Sequence, residues 1–217
     1  MTSLHELRVK YKNDKHNIHH TFKGKSYLNV YEQYLHSLKD KKINLLEIGI
    51  RDGSSLRMWE EYFPNATVYG LDIDPNCSQI SSERIKTFIG SQDDPEIIQK
   101  IAKEANYSFD IILDDGSHIN ELTLKSYDLL FHYLKNEGLY IMEDLGCSYL
   151  GDDLQRNIVI GGWPGMQYNK VELRNDRKIM NNFFNAIIED IDTKGLCGVE
   201  FIHFYSKIAI IKKNILQ

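Results

Sequence analysis

Short apolar runs alternate with helical patterns along most of this chain of 217 residues. The apolar runs predict buried strands over Ile43–Ile50, Ala66–Leu71, Lys86–Ile89, Phe109–Leu113, Gly138–Met142, Val199–Phe204 and Lys207–Ile211. Helical spacing predicts helices at about Ser54–Tyr62 and at about Ile179–Ile191. A third helix is predicted to begin at the capping sequence Asp94-Pro95-Glu96. A fourth is predicted from the apolar positions Leu122, Leu129, Leu130, Tyr133 and Leu134. Because strands alternate with helices, we expect an α/β fold whose mostly parallel sheet carries helices on both faces.

The end of the chain departs from this alternation. Only Tyr205-Ser206 joins the last two predicted strands, so we expect these strands to pair antiparallel. A mostly parallel, seven-stranded sheet that ends in an antiparallel hairpin is the Rossmann-like plan of class I methyltransferases. No repeat or low-complexity linker interrupts the chain, which predicts an N-terminal helical segment over residues 1–40 and a single domain over residues 41–217.

Composition limits which cellular compartment and which binding partners are expected. The formal net charge of -5 argues against a general nucleic-acid binder, and the hydrophobic fraction of 42% is ordinary for a globular domain. The three cysteines form no CxxC pair and no zinc-ligand spacing, which favours a reducing compartment. Without a secretory signal or an apolar run that could span a bilayer, the chain is predicted to be cytoplasmic. Its richness in Lys, Ile and Asn is typical of an AT-rich bacterial genome.

The turn after the first predicted strand has the features of a cofactor loop. Gly49 and Gly53 allow a tight turn and the close approach of a ligand, but GxxxG differs from the GxGxxG of dinucleotide sites. Carboxylates at Glu47 and Asp52 would repel a pyrophosphate, whereas S-adenosylmethionine carries an ammonium and a sulfonium instead. Asp72 ends the second strand, where an acid can accept hydrogen bonds from ribose hydroxyls. These features favour S-adenosylmethionine over a dinucleotide.

The third predicted strand ends in Gly90-Ser91-Gln92-Asp93, whose polar side chains could read an adenine edge. The predicted cofactor-binding residues are Glu47, Gly49, Gly53, Ser54, Asp72, Ser91, Gln92 and Asp114. Taken singly, each has a plainer explanation, because glycines and acids after buried strands commonly serve only to turn the chain or to cap a helix. Their order along this topology is what favours a cofactor site.

Carboxylates also follow the fourth and fifth predicted strands, in DDGSH (residues 114–118) and in Glu143-Asp144. Neighbouring parallel strands would bring these ends together, and three carboxylates without a cysteine suit a hard cation such as Mg²⁺. Such an ion leaves coordination positions open for substrate hydroxyls, and the two hydroxyls of a vicinal diol would fit them. His118 would then remove the proton from a hydroxyl whose pKa the ion has lowered. The alternative is that these acids cap helices or solvate loops and that His118 is a surface histidine.

Four segments together carry a family resemblance: LLEIGIRDGSSLRMWEEYFPNATVYGLDIDP, DIILDDGSH, YIMEDL and GVEFIHFYSKIAII. They resemble the metal-dependent sugar O-methyltransferases of macrolide biosynthesis, the mycinamicin type, and the related cephalosporin hydroxylase-like proteins. The upstream segment DKHNIHHTF loosely matches the entry segment of the same family. The resemblance spans about residues 13–212, and DDGSH followed by ED is its most specific part. It implies that Asp115, Glu143 and Asp144 hold Mg²⁺ and that His118 is the general base.

The function expected on these grounds is Mg²⁺-dependent O-methylation of a sugar hydroxyl with S-adenosylmethionine. The acceptor would be a nucleotide-linked sugar for a bacterial surface polysaccharide or a glycosylated natural product, and we expect a homo-oligomer. Methylation of another small acceptor, such as an amine or a phosphorylated metabolite, is an alternative, and so is a non-catalytic protein that binds S-adenosylmethionine. A hydroxylase is disfavoured because no iron triad of two histidines and a carboxylate is evident.

Three further residues have open interpretations. His19 and His20 either close over the site or are simply solvated, and Trp163 either stacks on a sugar ring or anchors its loop. The irregular stretch over residues 146–175 is expected to form much of the acceptor pocket.

Overall fold

The computed structural model describes residues 2–13, 15, 21–22, 25–149 and 176–214. Its strands are β1 (Thr21–Phe22), β2 (Lys25–Ser26), β3 (Asn44–Ile48), β4 (Thr67–Asp72), β5 (Ile85–Ile89), β6 (Phe109–Asp114), β7 (Leu134–Met142), β8 (Val199–Tyr205) and β9 (Ile208–Lys213). Its helices are α1 (Leu4–Tyr11), α2 (Tyr27–Leu35), α3 (Ser54–Tyr62), α4 (Pro95–Glu104), α5 (Asn120–Leu130) and α6 (Arg177–Thr193). His19, His20, Trp163 and the part of the predicted irregular stretch over residues 150–175 lie outside the described residues.

A seven-stranded sheet organises the molecule, with the strand order β5-β4-β3-β6-β7-β9-β8. The strands from β5 to β7 pair in parallel, and β9 pairs antiparallel with both β7 and β8. This is the predicted mostly parallel sheet with an antiparallel hairpin at the end of the chain, so the predicted fold is confirmed. The chain order reverses between β3 and β6, and in such sheets ligands bind beyond the carboxyl ends of the strands at this point.

Alternate residues of the strands enter two apolar cores on opposite faces of the sheet. Leu45 and Ile111 pack on one face with α1, α2 and α3, whereas Leu46 and Ile112 pack on the other face with α4, α5 and α6. Strands that are buried on both faces appear in the sequence as continuous apolar runs. This burial explains why the strands could be located from the hydrophobic pattern.

Capping residues set the starts of two helices that were predicted. Asp94 accepts a hydrogen bond from the Glu96 backbone N–H, and Pro95 occupies the first turn of α4. Helix α3 begins at Ser54, directly after Gly53, and this start agrees with the predicted one. Both starts follow loops at the carboxyl ends of strands, so the caps help to define the shape of the candidate site.

Two predicted junctions are wrong, and most other predicted bounds lie within two residues of the observed ones. Helix α5 ends at Leu130, and Leu134 begins β7 instead of continuing the helix because it pairs with Phe109 in the ladder of β6 and β7. The turn between β8 and β9 does not include Tyr205, which pairs with Ile208. The turn residues are 206 and 207 instead, and Lys207 has the left-handed φ of 65°.

The N-terminal helices pack on the same core as the sheet. Leu4 and Leu7 of α1, Tyr31 of α2 and Trp59 of α3 are fully buried in one shared cluster. Among the described residues, no helix is long and apolar enough to cross a membrane. Because α1 and α2 share a core with the sheet, the segment that precedes β3 is positioned to contribute side chains to the site at the sheet edge.

Candidate active site

The carboxyl ends of β3, β6 and β7 lie side by side where the strand order reverses. Ile48 of β3 pairs with Asp114 of β6, which in turn pairs with Met142 of β7. The Asp115 N–H donates a hydrogen bond to the Ile48 carbonyl at 3.0 Å, and the Glu143 N–H donates to the Asp114 carbonyl at 2.9 Å. The register therefore places DDGSH next to Glu143-Asp144, as the order of the strands predicts.

Gly49 allows the loop after β3 to touch the DDGSH loop. Its φ is 81°, and a Cβ at this position would lie 2.1 Å from the backbone oxygen of Asp115. Gly53 has a φ of 72°, and its Cβ would lie 2.5 Å from the Ile80 side chain. A side chain at position 49 would collide with the backbone, and one at position 53 would displace Ile80, so both predicted glycines suit these left-handed turns.

The Asp72 carboxylate shapes the same loop. Its Oδ2 accepts hydrogen bonds from the Ile50 N–H at 2.8 Å and from the Arg51 N–H at 2.9 Å. Its Oδ1 accepts a hydrogen bond from the Asp74 N–H at 2.9 Å. Since a carboxylate has about four acceptor positions, these three bonds leave capacity for a ribose hydroxyl.

Asp114 and Gln92 face inward beneath the DDGSH loop. Asp114 accepts hydrogen bonds from the Ser126 hydroxyl at 2.6 Å and from the Tyr140 hydroxyl at 3.2 Å. Gln92 donates to the Ser126 hydroxyl at 3.0 Å and accepts from the Ser117 N–H at 2.7 Å. Burial raises the pKa of Asp114, and the hydrogen bond from Ser126 partly opposes this rise. These polar atoms therefore hold the loop in place, and a direct cofactor contact by either residue stays a prediction.

Two other predicted cofactor residues have local partners. The Ser54 backbone N–H donates to the Asp52 carboxylate at 3.0 Å, and the Ser91 hydroxyl donates to the Asp93 carboxylate. Both lie at the carboxyl edge of the sheet, at the start of α3 and after β5. Their roles toward a cofactor also stay predictions.

Asp115, His118 and Asp144 form a group that we call the outer cluster. Their ligand-type atoms all lie within 4.8 Å of one another. His118 Nε2 lies 3.9 Å from Asp115 Oδ1 and 3.8 Å from Asp144 Oδ2. The Tyr27 hydroxyl donates a hydrogen bond to Asp144 Oδ1 at 2.7 Å. Since all three side chains of the cluster are only partly buried, the cluster can receive a cation and a substrate from solvent.

The backbone is unusual at two residues of the outer cluster. His118 and Asp144 have φ values of 56° and 52°, in the left-handed region that most side chains avoid. Such conformations each cost on the order of 1–3 kcal/mol and are concentrated at functional sites. The surrounding loops therefore hold these two side chains in a defined orientation.

Glu47, Asp115 and Glu143 form a second group, the inner cluster, whose carboxylate oxygens also lie within 4.8 Å of one another. The Lys15 ammonium lies among them, 2.6 Å from Glu143 Oε1 and 3.0 Å from both Asp115 Oδ2 and Glu47 Oε1. The Lys15 side chain is only 2% exposed, and that of Glu47 is fully buried. Asp115 therefore links the two clusters, because its Oδ2 faces Lys15 and its Oδ1 faces His118.

Burial governs the electrostatics of the inner cluster. It raises the pKa of Glu47, although Lys15 partly offsets this effect. Burial, together with the neighbouring Asp115, raises the pKa of Glu143 well above its usual range. Burial alone would lower the pKa of Lys15, but the attraction of the three carboxylates is stronger and raises it. Lys15 is therefore a permanent cation at neutral pH.

The predicted metal ligands are divided between the two clusters. Asp115 belongs to both, whereas Asp144 belongs to the outer cluster and Glu143 to the inner one. Glu143 offers Oε1 to Lys15 and accepts a hydrogen bond from the Tyr31 hydroxyl. Both residues lie beyond the end of β7 at Met142, and the chain turns at Asp144, whose φ of 52° is left-handed, so the two adjacent side chains diverge. The role of all three as metal ligands stays a prediction.

The sequence did not reveal Lys15, Tyr27 and Tyr31 as site residues. Lys15 belongs to the segment DKHNIHHTF, whose match to the resembled family gave Lys15 no role, and the two tyrosines fit the apolar face of an ordinary amphipathic helix. Trp59 was expected to be a core residue, and it is fully buried. Its indole N–H also donates a hydrogen bond to Glu47 at 3.1 Å, which adds a polar role that spacing alone could not show.

Sugar O-methyltransferases are similar to this chain in sequence, although no family model matches it. L-olivosyl-oleandolide 3-O-methyltransferase from Streptomyces antibioticus is 37% identical over 169 residues, which cover 75% of this chain and 39% of that protein. Demethylmacrocin O-methyltransferase from Streptomyces fradiae is 37% identical over 143 residues, which cover 62% of this chain and 32% of that protein. The chain thus spans less than two fifths of the length of these two curated relatives.

A solved structure agrees with these relatives. The MycE methyltransferase from the mycinamycin biosynthetic pathway, in complex with Mg and SAH, superposes with a TM-score of 0.76 at 26% identity. The match covers 98% of this chain and 55% of that chain, and a further complex of MycE also contains mycinamycin VI. The predicted resemblance to the sugar O-methyltransferases and the class I fold are confirmed by these similarities.

Proposed function

We propose that this chain is an S-adenosylmethionine-dependent O-methyltransferase that acts on a sugar hydroxyl with the help of a divalent cation such as Mg²⁺. The outer cluster is the observation that carries this proposal. It places His118 between the carboxylates of Asp115 and Asp144, beside the glycine loop at the carboxyl edge of the sheet. The similar proteins support the proposal because their names describe O-methylation of sugars on natural products.

The outer cluster fits a hard divalent cation. Asp115 and Asp144 offer carboxylate oxygens at a partly buried position, and Mg²⁺ prefers such oxygen donors. Glu143, the third predicted ligand, gives Oε1 to Lys15, and its part in holding the same ion stays a prediction. A divalent ion at this position would lower the pKa of a hydroxyl bound to it.

The loop after β3 fits S-adenosylmethionine. Gly49 and Gly53 keep the backbone free of side chains on the approach to the sheet edge, and Asp72 has acceptor capacity for ribose hydroxyls. Ser91 follows β5 on the same edge, where the adenine contact is predicted. S-adenosylmethionine would supply a methyl group that its sulfonium already activates.

His118 is the proposed general base. Its Nε2 faces the oxygens of Asp115 and Asp144, so a hydroxyl bound at the outer cluster lies within reach of the imidazole. The imidazolium that forms when Nε2 takes up the proton is stabilised by the same two carboxylates. The chain thus orients the acceptor and removes its proton at one place, which is most of what methyl transfer requires of a protein.

A sugar on a glycosylated natural product or on a nucleotide is the proposed acceptor. One similar protein is named for O-methylation of L-olivosyl-oleandolide, and one MycE structure contains mycinamycin VI. A vicinal diol would suit a cation with open positions. A homo-oligomer in the cytoplasm remains part of the proposal.

The decisive experiment measures methyl transfer from radiolabelled S-adenosylmethionine to a panel of glycosylated macrolides and nucleotide sugars. We expect EDTA to abolish transfer, added Mg²⁺ to restore it, and His118→Ala to lower the rate by roughly 100-fold or more. Binding of S-adenosylmethionine, followed by calorimetry, should persist in each case. His118→Asn is the second variant, because asparagine tolerates the left-handed backbone of this position.

His132→Ala is the matched control, since His132 is exposed and lies outside both clusters. Full turnover in EDTA and in both His118 variants would contradict the mechanism. Transfer to an amine or a phosphorylated metabolite that has no diol would favour the alternative acceptor class.

A further inference from the structure

The inner cluster already contains a cation, and that cation belongs to the protein. The Lys15 nitrogen lies 2.6–3.0 Å from one oxygen each of Glu47, Asp115 and Glu143. These distances are slightly longer than the 2.3–2.6 Å of Ca²⁺–oxygen bonds. Lys15 thus occupies a position with the charge and the donor set of a divalent-ion site.

Neighbouring side chains hold the inner carboxylates in place, as second-shell partners do around bound metals. The Trp59 indole N–H donates to Glu47 Oε2 at 3.1 Å, and the Tyr31 hydroxyl donates to Glu143 Oε1. Glu47 Oε1 is buried and accepts no well-aligned hydrogen bond within the part of the chain that the structure describes, yet it lies 3.0 Å from the Lys15 ammonium. Lys15 is therefore the charged partner of this buried oxygen, at the position that a metal ion would take.

We propose that Lys15 is a built-in cation that fills the inner of two cation positions in this centre. It restricts the centre to a single divalent ion at the outer cluster and holds Asp115 and Glu143 in place for that ion. Lys15 is thus a positioning residue. The assignment of the outer ion rests on the function proposed above, whereas the assignment of the inner position rests on the contacts of Lys15.

Asp115 shows how the two positions are coupled. Its Oδ2 is fixed by Lys15 at 3.0 Å, which leaves its Oδ1 on the side of His118 and Asp144. Removing the ammonium would leave three carboxylates within 4.8 Å of one another at a largely buried place. Mutual repulsion then favours the uptake of a divalent cation from solvent, because oxygen donors of this kind and number bind hard cations.

The test counts Mn²⁺ ions bound to the full chain, with electron paramagnetic resonance reporting the free ion. We expect about one Mn²⁺ per wild-type chain and about two per Lys15→Met chain. The double variant Lys15→Met/Glu47→Gln removes one inner carboxylate together with the ammonium, and it should return to about one ion. Lys15→Arg keeps the positive charge and should also bind one. Lys10→Met is the matched control, because Lys10 is an exposed lysine paired with Glu61.

Thermal melting covers the case in which Lys15→Met does not fold without metal. A rise of the melting temperature with Mn²⁺ that is larger in Lys15→Met than in the wild type supports the proposal. Unchanged stoichiometry in a folded Lys15→Met chain, or a metal response equal to that of the wild type, overturns it. Two Mn²⁺ ions on the wild-type chain also overturn it.

The count of ions separates this proposal from the proposed function. If the wild-type chain binds no Mn²⁺ and transfers no methyl group, the proposed metal site at the outer cluster is contradicted. A gain of one ion in Lys15→Met would still support the inner position in that case.

Discussion

The inner and outer clusters share Asp115 and consist of similar chemical groups, yet they differ in burial and in the origin of their cation. The inner cluster is closed by Lys15, and its Glu47 and Glu143 are buried. The outer cluster is partly exposed and contains Asp144 and His118 with left-handed backbones. The first arrangement provides its own positive charge, whereas the second is shaped to receive one.

This difference follows from the cost of burying charge. An unpaired carboxylate inside a protein is destabilising by several kcal/mol, so each buried acid needs a partner within the fold. A carboxylate at the surface is hydrated and can exchange water for a metal ion. We therefore expect changes in the inner cluster to affect mainly stability, and changes in the outer cluster to affect mainly metal binding and catalysis.

Replacement of Glu47 by Ala should have the largest effect on stability. It removes one partner of the buried ion-pair cluster and leaves the buried indole N–H of Trp59 without its acceptor, which costs about 3–5 kcal/mol. Urea denaturation followed by circular dichroism measures the loss. Glu61→Ala breaks the exposed pair with Lys10 and should cost far less. Equal losses in the two variants would show that Lys15 and its partners do not stabilise the fold.

Replacement of Asp144 by Asn should lower the rate of methyl transfer by roughly 100-fold or more, because the outer cluster loses a charged ligand. Stability should change little, since asparagine tolerates the left-handed backbone and can still accept the hydrogen bond of Tyr27. Initial rates at saturating Mg²⁺ test this expectation. Asp128→Asn changes an exposed acid of α5 and serves as the control. A rate within a few-fold of wild type would remove Asp144 from the metal site.

Two tyrosines on α2 allow the clusters to be compared with the same chemical change. Tyr31→Phe removes the hydroxyl that donates to the buried Glu143 and should cost about 1–3 kcal/mol of stability. Tyr27→Phe removes the hydroxyl that donates to Asp144, and it should lower Mn²⁺ affinity by about 10-fold with a smaller loss of stability. Urea denaturation and Mn²⁺ titration of both variants give the comparison. The opposite ranking of either property would contradict the division of roles.

Replacement of Glu47 by Gln should have the smallest effect, a shallower dependence of stability on pH. Burial raises the pKa of Glu47 above 4.5, so the folded protein keeps a proton that the unfolded chain has released. Stability therefore falls as the pH rises from 4.5 through the higher pKa of the folded state. One such group contributes at most about 1.4 kcal/mol per pH unit, and glutamine contributes nothing. Urea denaturation at several pH values should show a steeper fall for the wild type than for the variant, and parallel curves would contradict this cause.

Much of the fold could be predicted because its strands are buried on both faces. Ile43–Ile50 and Phe109–Leu113 stand out as apolar runs for this reason, and the bounds of α3 agree with the predicted Ser54–Tyr62. The errors fall where a local pattern is ambiguous. Leu134 fits the helical spacing of α5, but its pairing with Phe109 places it in β7.

The candidate site could be predicted only in outline. DDGSH and Glu143-Asp144 follow strands that the topology makes neighbours, so their proximity follows from the order of elements along the chain. The direction of each carboxylate does not follow from that order. Glu143 faces Lys15 and Asp144 faces His118, although the two acids are adjacent in the sequence.

The linear sequence is sufficient to determine the class of the fold, the position of the glycine loop and the chemical nature of the groups at the sheet edge. These properties depend on hydrophobic periodicity and on residue type, both of which are local. The tertiary structure alone reveals that Lys15, far away in the chain, closes the inner cluster and that Asp115 faces two cation positions. Such contacts depend on how helices, loops and strands pack, because distances between residues remote in sequence are set by the whole fold.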